Sequence, residues 1–218
     1  LVSLQRTNET KDKLFSIVAH DLKAPLASIE NYLALLNQFE LSPEEKAEIE
    51  KQLLSSTKQT SEMLQNLLYW VKEQMDGITV NLSSISVMDA LRDTIAYQEQ
   101  IALGKNIRLV ISADEDIKAI ADPNMLQLIT RNLLNNAIKF SMPGSLILLA
   151  VERQGNKCIL SIKDQGIGIA QDQIPLLFSL KSNGTYGTNK ERGVGLGLRL
   201  SKTYTELQNG SIWFESTL

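Results

Sequence analysis

The 218-residue chain carries a single histidine, and the residues around it suit a nucleophile. His20 lies in Phe15-Ser16-Ile17-Val18-Ala19-His20-Asp21-Leu22-Lys23-Ala24-Pro25-Leu26. Phe15, Leu22, Ile29 and Leu36 recur every seven residues, with Val18, Pro25 and Tyr32 between them, so the segment predicts a helix with an a/d seam. His20 falls at heptad position f, facing solvent. A neutral imidazole, with an unperturbed pKa of about 6.5, is a good nucleophile near pH 7. Asp21 beside it can orient the ring or take its proton. Pro25 removes the helix hydrogen bond to the Asp21 carbonyl and predicts a kink next to His20.

Three further groups suit an anionic, flat ligand. Asn132, Asn136 and Lys139 fall at i, i+4 and i+7, a polar stripe beside an apolar face of Met125, Leu126, Ile129, Leu133, Ala137 and Phe140. Amide oxygens suit Mg²⁺ and an ammonium suits a phosphate, although such a stripe alone is equally a solvated helix face. Asp164-Gln165-Gly166-Ile167-Gly168-Ile169 ends a strand-like run. Its carboxylate can accept from a ring amine, and its glycines let backbone approach a flat ligand, although turns use the same residues. Gly193-Val194-Gly195-Leu196-Gly197 opens a helix and so offers an anion site. No Gly-Lys-Ser/Thr follows and no strand precedes, so it is neither a P-loop nor a dinucleotide fingerprint. The polar stretch 179–192 before it contributes Lys181, Lys190 and Arg192, each able to reach a phosphate.

The elements that must hold these groups divide into two regions. Residues 1–76 lack glycine, and all 12 glycines lie in 77–218. The first region predicts two long helices, about Leu4–Gln38 and Pro43–Met75, the second started by a Ser42/Glu45 capping box. Their short linker makes them antiparallel neighbours, and two helices alone enclose no core, so dimerisation into a four-helix bundle is expected. The second region predicts strands near 78–82, 107–111, 119, 146–151, 158–164 and 210–215. Helices are expected at 87–103, 122–140 and 195–208, with Asp122 as cap and Pro123 in the first position of the second. Without a regular βαβ rhythm this is a helix layer on one mixed sheet. The fold class is α+β: a helical hairpin, then an α/β sandwich.

Composition removes several functions. One cysteine, Cys158, excludes an intrachain disulfide and a thiolate metal cluster, and one histidine excludes multi-histidine sites. A net charge of −3 without a basic block argues against nucleic acid as partner. The longest apolar run, Leu146–Val151, is six residues; a membrane-spanning helix needs about 20. With no initiator Met and no signal peptide, the chain reads as a cytoplasmic fragment of a longer protein.

In four ordered motifs the chain resembles the catalytic core of two-component sensor histidine kinases. "FSIVAHDLKAPLASI" resembles the phosphoacceptor box, "NLLNNAIKFS" the asparagine box, and "DQGIGI" and "GVGLGL" the two glycine boxes; Phe178 resembles the phenylalanine before the lid. The resemblance implies that ATP phosphorylates His20, with Asp21 as base, and that the phosphoryl group passes to an aspartate of a response regulator receiver domain. It implies that Asn136 binds Mg²⁺ with help from Asn132, and that Lys139 approaches the triphosphate. Asp164 would read the adenine amine, with Phe140 and Ile169 walling its pocket and Gly166 and Gly168 shaping it. Gly193, Gly195, Leu196 and Gly197 would hinge the lid and present the helix to phosphate, with Lys190 and Arg192 beside them. Residues 1–76 would form the homodimer and 77–218 the ATP-binding domain.

Three departures stand out. Ala24 replaces the Thr or Asn that usually supports phosphatase activity, Phe178 lacks the acidic residue often before it, and the last strand of the family is absent. Two other readings are a different ATPase of the same fold and a non-catalytic, nucleotide-binding dimeric scaffold. The first is disfavoured because gyrase, mismatch-repair and chaperone domains carry a water-activating glutamate where Asn132 stands.

Overall fold

A computed structural model describes residues 22–23, 25–39, 41–76, 79–114, 117–170, 173, 177–178, 187–188 and 197–217. Compact packing divides the chain into two units after Ile78. In the first, residues 22–23 and 25–38 are helical (α1), and α2 spans Pro43–Asp76. The capping box forms: the Ser42 amide donates to Glu45 Oε2 at 2.9 Å and the Glu45 amide to Ser42 Oγ at 3.3 Å. The backbone and hydroxyl bonds from Ser42 hold the Glu45 carboxyl below its ordinary range. Halfway along α2, Thr57 and Thr60 turn their hydroxyls back onto the carbonyls of Leu53 and Ser56, at 2.8 and 2.7 Å. Such back-bonding competes with the helix ladder and bends helices. The part of the predicted first helix before Leu22, with His20 and Asp21, lies outside the described residues, as does Ala24.

The second unit contains β1 (Ser83–Ser86), α3 (Val87–Gly104), β2 (Arg108–Ala113), β3 (Lys118–Ala121), α4 (Pro123–Phe140), β4 (Leu146–Gln154), β5 (Lys157–Lys163) and α5 (Gly197–Leu207). β1 feeds directly into α3, with Ser86 as N-cap. β2 runs parallel to β4 with Arg108 opposite Leu146, and β5 returns antiparallel to β4 through a turn at Gly155, whose φ is +60°. The core lies where Leu91, Ile95 and Ala102 of α3 and Leu134, Ala137 and Ile138 of α4 meet Ile107, Ile147, Leu149 and Val151. Among the described residues no helix is long and apolar enough to cross a membrane.

Four expectations need correction. The single mixed sheet is two: an antiparallel β1–β3 pair and a three-stranded β2–β4–β5 sheet. β1 and β3 are only four residues each, too short to extend either ladder. The first strand is not at 78–82 but at Ser83–Ser86; the Asn81 amide donates to Asp122 Oδ2 at 2.9 Å instead of entering a ladder. Residues 211–217 form no strand, although their exposure alternates strictly. Their fixing contacts are side-chain ones, the Ile169 amide donating to Ser216 Oγ at 2.9 Å and the Phe214 ring lying 5.6 Å from that of Phe178. Finally, the buried face of α4 is rotated. Leu134 and Ile138 are buried whereas Leu133 and Phe140 are only half-buried, because α3 and α5 both pack on α4 and widen the buried arc.

Candidate nucleotide site

The site grows from the two ends of α4. At its start Asp122, 4% exposed, accepts at Oδ1 from the Asn124 and Met125 amides at 2.9 and 3.1 Å, the N-cap that the Asp-Pro pair predicts. Its amide donates to Gln208 Oε1 at 2.8 Å, which ties the start of α4 to the end of α5. Two and a half turns on, Asn132 is 8% exposed and donates from Nδ2 to the Gly197 carbonyl at 3.3 Å. A side chain at Gly197 would begin 3.5 Å from Asn132 Cγ, so the first residue of α5 sits directly against the asparagine. Asn132 is therefore not on a solvated stripe; Asn136 and Lys139, one and two turns later, are half-buried.

At the other end, the Lys139 ammonium lies 4.7 Å from the centre of the Phe140 ring. The Phe140 carbonyl accepts from the Ile167 amide at 3.3 Å, and Ser141 forms an isolated bridge with Gly166. The asparagine helix and the Asp164–Ile169 loop thus meet in space. Asp164 is exposed and its Oδ1 accepts from the Gly166 amide at 2.8 Å, closing a tight turn. A Cβ on Gly166 would lie 2.8 Å from both that oxygen and the Phe140 carbonyl oxygen, so the position requires glycine. Gly168 has φ +71°, the left-handed region that glycine supplies without strain, and Ile169 next to it is half-buried.

The structure thus brings Asn132 against Gly197, and Phe140 and Ser141 against Ile167 and Gly166; Asn136 and Lys139 lie on α4 between these contacts, and Asp164, Gly168 and Ile169 belong to the loop that meets its end. Lys181, Lys190, Arg192, Gly193, Gly195 and Leu196 lie outside the described residues. Two contributors carried no recognisable signal in the sequence. Thr188 donates from its amide to the Lys139 carbonyl at 3.1 Å and from its hydroxyl to the Ser141 carbonyl at 2.9 Å. Lys105 reaches the carbonyls of Ile138 and Lys139 from the turn after α3. Both bonds join residues more than 30 apart and follow no local pattern. Among the described residues no cluster of three His, Cys, Asp or Glu could hold a metal. The donor set instead offers amide oxygens, which fit a Mg²⁺ held mainly by phosphates and water. Cys158 is apart from this site, and burial pushes its thiol up.

A helical unit followed by an α/β unit in which the asparagine helix α4 meets both the Asp-x-Gly-x-Gly loop and the first residue of a glycine-started helix is the arrangement of an ATP-binding module of the kinase–gyrase–chaperone type preceded in sequence by a helical unit. Residues 121–218 match the family model "Histidine kinase-, DNA gyrase B-, and HSP90-like ATPase", and residues 10–75 match "His Kinase A (phospho-acceptor) domain". Sensor histidine kinase YvrG of Bacillus subtilis is 28% identical over 216 residues, covering 97% of this chain and 37% of that protein. Histidine kinase AdeS of Acinetobacter baumannii has the same fold, with a TM-score of 0.68 at 18% identity, covering 90% of this chain and 91% of that one. Histidine kinase ThkA, solved in complex with response regulator protein TrrA, superposes with a TM-score of 0.69 at 18% identity, covering 94% of this chain and 58% of that one. The chain belongs to the sensor histidine kinases of two-component systems and carries their phosphoacceptor and ATP-binding core. It spans 37% of the length of YvrG and 23% to 30% of other curated relatives.

Proposed function

We propose that this chain transfers the γ-phosphoryl group of ATP to His20 and then to an aspartate of a receiver domain. The supporting observation is the convergence of the Asn132–Phe140 helix, the Asp164–Ile169 loop and Gly197 in one unit, while the other carries the histidine motif. A ring nitrogen of His20 attacks phosphorus, the N–P bond forms as the bond to the ADP oxygen breaks, and Asp21 takes the imidazole proton. Asp164 receives the adenine amine at its exposed carboxylate. Asn136, with Asn132, would hold Mg²⁺, which neutralises charge on the triphosphate; Lys139 adds to this. Lys190 and Arg192 would pair with the phosphates, and Gly193, Gly195 and Gly197 would present the start of the following helix to them.

Residues 1–76 form the homodimer in this reading. Leu26, Leu33, Leu54 and Leu64 are exposed in the single chain, as a hairpin awaiting a second copy requires. The ThkA complex makes a response regulator the natural acceptor, and dependence on ATP puts the chain in the cytoplasm.

The test is labelling of purified protein with γ-labelled ATP. Wild type should take up acid-labile, base-stable label; His20→Gln should lose it and still bind ATP, and Asn136→Ala should lose both. Label that persists in His20→Gln would overturn the reading, and ATP binding without label would leave the scaffold reading in its place. Mixed dimers of His20→Gln and Asn136→Ala subunits then separate labelling within a subunit from labelling across the dimer.

Two expectations follow about control. Ala24 presents a methyl where a hydroxyl or amide would hold a water in line with an aspartyl-phosphate. The chain should therefore be a strong kinase with little phosphatase activity, checked by decay of phosphorylated regulator in the presence of ADP. The back-bonded threonines of α2 mark a weak layer level with His20 in an antiparallel hairpin, and this layer acts as a hinge. Thr57→Leu with Thr60→Leu should raise hairpin stability by about 1–2 kcal/mol. Autophosphorylation should fall with ATP affinity unchanged, and equal labelling rates in a more stable variant would remove the hinge from the switch.

A further inference from the structure

We propose that Lys105 is a positioning residue of the nucleotide site, an assignment that rests on reading that site as binding ATP. Lys105 follows α3, 27 residues before the first asparagine of the site. Its ammonium donates to the carbonyls of Ile138 and Lys139 at 2.9 and 2.8 Å, the last turn of α4. That turn carries Asn136, Lys139 and Phe140.

Three observations make this a built contact. The backbone around Lys105 is pinned on both sides. The amides of Lys105 and Ile107 donate to the Ala102 carbonyl at 3.0 and 2.8 Å, and the Asn106 carbonyl accepts from Gly144 at 2.7 Å. Asn106 itself takes φ +57°, a left-handed conformation that asparagine tolerates. The ammonium's anchor is therefore fixed before it reaches across to α4. Secondly, the Lys139 carbonyl is shared: the Thr188 amide and hydroxyl also donate to it, at 3.1 and 3.2 Å. Lys105 and the lid residue Thr188 thus meet on one oxygen. Thirdly, the electrostatics call for a cation there. The last carbonyls of a helix carry about half a negative charge, which disfavours a nearby triphosphate. A lysine bonded to two of them offsets that charge and stops the last turn from fraying. In this assignment Lys105 acts through the turn that does the binding.

The experiment uses the full chain and Mg²⁺ with a non-hydrolysable ATP analogue, followed by calorimetry, with autophosphorylation measured across ATP concentrations. Lys105→Met keeps the alkyl stem and removes the charge. It should weaken analogue binding about five- to tenfold and raise the ATP KM equally, with the rate at saturating ATP unchanged. Lys105→Arg should return both constants to within about twofold of wild type, a rescue that generic destabilisation would not give. If Lys105→Met does not fold, Lys105→Gln carries the same comparison. Analogue affinity within twofold of wild type in a folded Met or Gln variant overturns the assignment, as does a loss that arginine does not restore. A wild type that binds no analogue is a different result, because it overturns the nucleotide reading itself.

Discussion

Replacing Gly166 with alanine is expected to lower ATP affinity by roughly 10- to 150-fold, the range for losing a buried hydrogen bond to a charged group. The added Cβ would stand 2.8 Å from Asp164 Oδ1 and 2.8 Å from the Phe140 carbonyl oxygen. The Phe140 oxygen is backbone and cannot swing aside, and the Asp164 carboxylate can move only by giving up its bond to the Gly166 amide. The carboxylate is held by the Gly166 amide at 2.8 Å, and the carbonyl accepts from Ile167 at 3.3 Å. Relief of the clash therefore rotates the Asp164 carboxylate away from the position proposed for the adenine amine, or opens the Ser141–Gly166 bridge next to Phe140. The accompanying cost in stability is about 1–3 kcal/mol. Calorimetry with an ATP analogue and a thermal melt separate the two effects. Gly155→Ala is the matching control. Gly155 has a positive φ, of +60°, which itself favours glycine, but open space around its Cβ position, so that variant should lose stability and keep its affinity. Equal affinity in Gly166→Ala and wild type would remove the Asp164 turn from the adenine pocket.

The parts of this site that could be read from sequence are those held by local rules. Asp122-Pro123 announces a cap and a first helical residue because both act within one turn, and α4 begins there. Ser42 and Glu45 meet for the same reason. Asn132, Asn136 and Lys139 share a face by helical period alone. The depth of Asn132 could not be read in this way, because it is set by Gly197, 65 residues away. The same holds for Lys105 and Thr188, whose targets are main-chain carbonyls that any sequence supplies. The misplaced first strand has the same cause. Val80 and Leu82 look more strand-like than Ser83 and Ser84, yet the ladder forms where Lys118–Ala121 is available to pair. In 211–217 the alternation is genuine and the ladder is missing, so period two reports two-faced burial, not pairing.

Asp122 is the position where the largest stability effect is expected. Its carboxylate is 4% exposed and accepts three amide hydrogens, from Asn81, Asn124 and Met125. Alanine would remove the N-cap, worth about 0.5–2 kcal/mol. It would also strand the Asn81 amide in a part-buried place, a further 1–3 kcal/mol. The sum is about 1.5–5 kcal/mol, or roughly a 10 °C fall in the melting temperature of the ATP-binding unit. The loss should reach beyond α4. Through Asn81 the carboxylate holds the segment that leads out of the helical unit, and through the Asp122 amide and Gln208 the same residue meets the end of α5. Asp122→Ser keeps a capping oxygen for α4 but is too short to serve Asn81 as well, so it should recover about half of the loss. Hydrogen exchange locates the damage: the amides of 81, 124 and 125 should exchange faster in the alanine variant, and those of 124 and 125 should recover in the serine variant. If Asp122→Ala melts within 2 °C of wild type, water replaces the carboxylate and the residue is not the anchor its bonds describe.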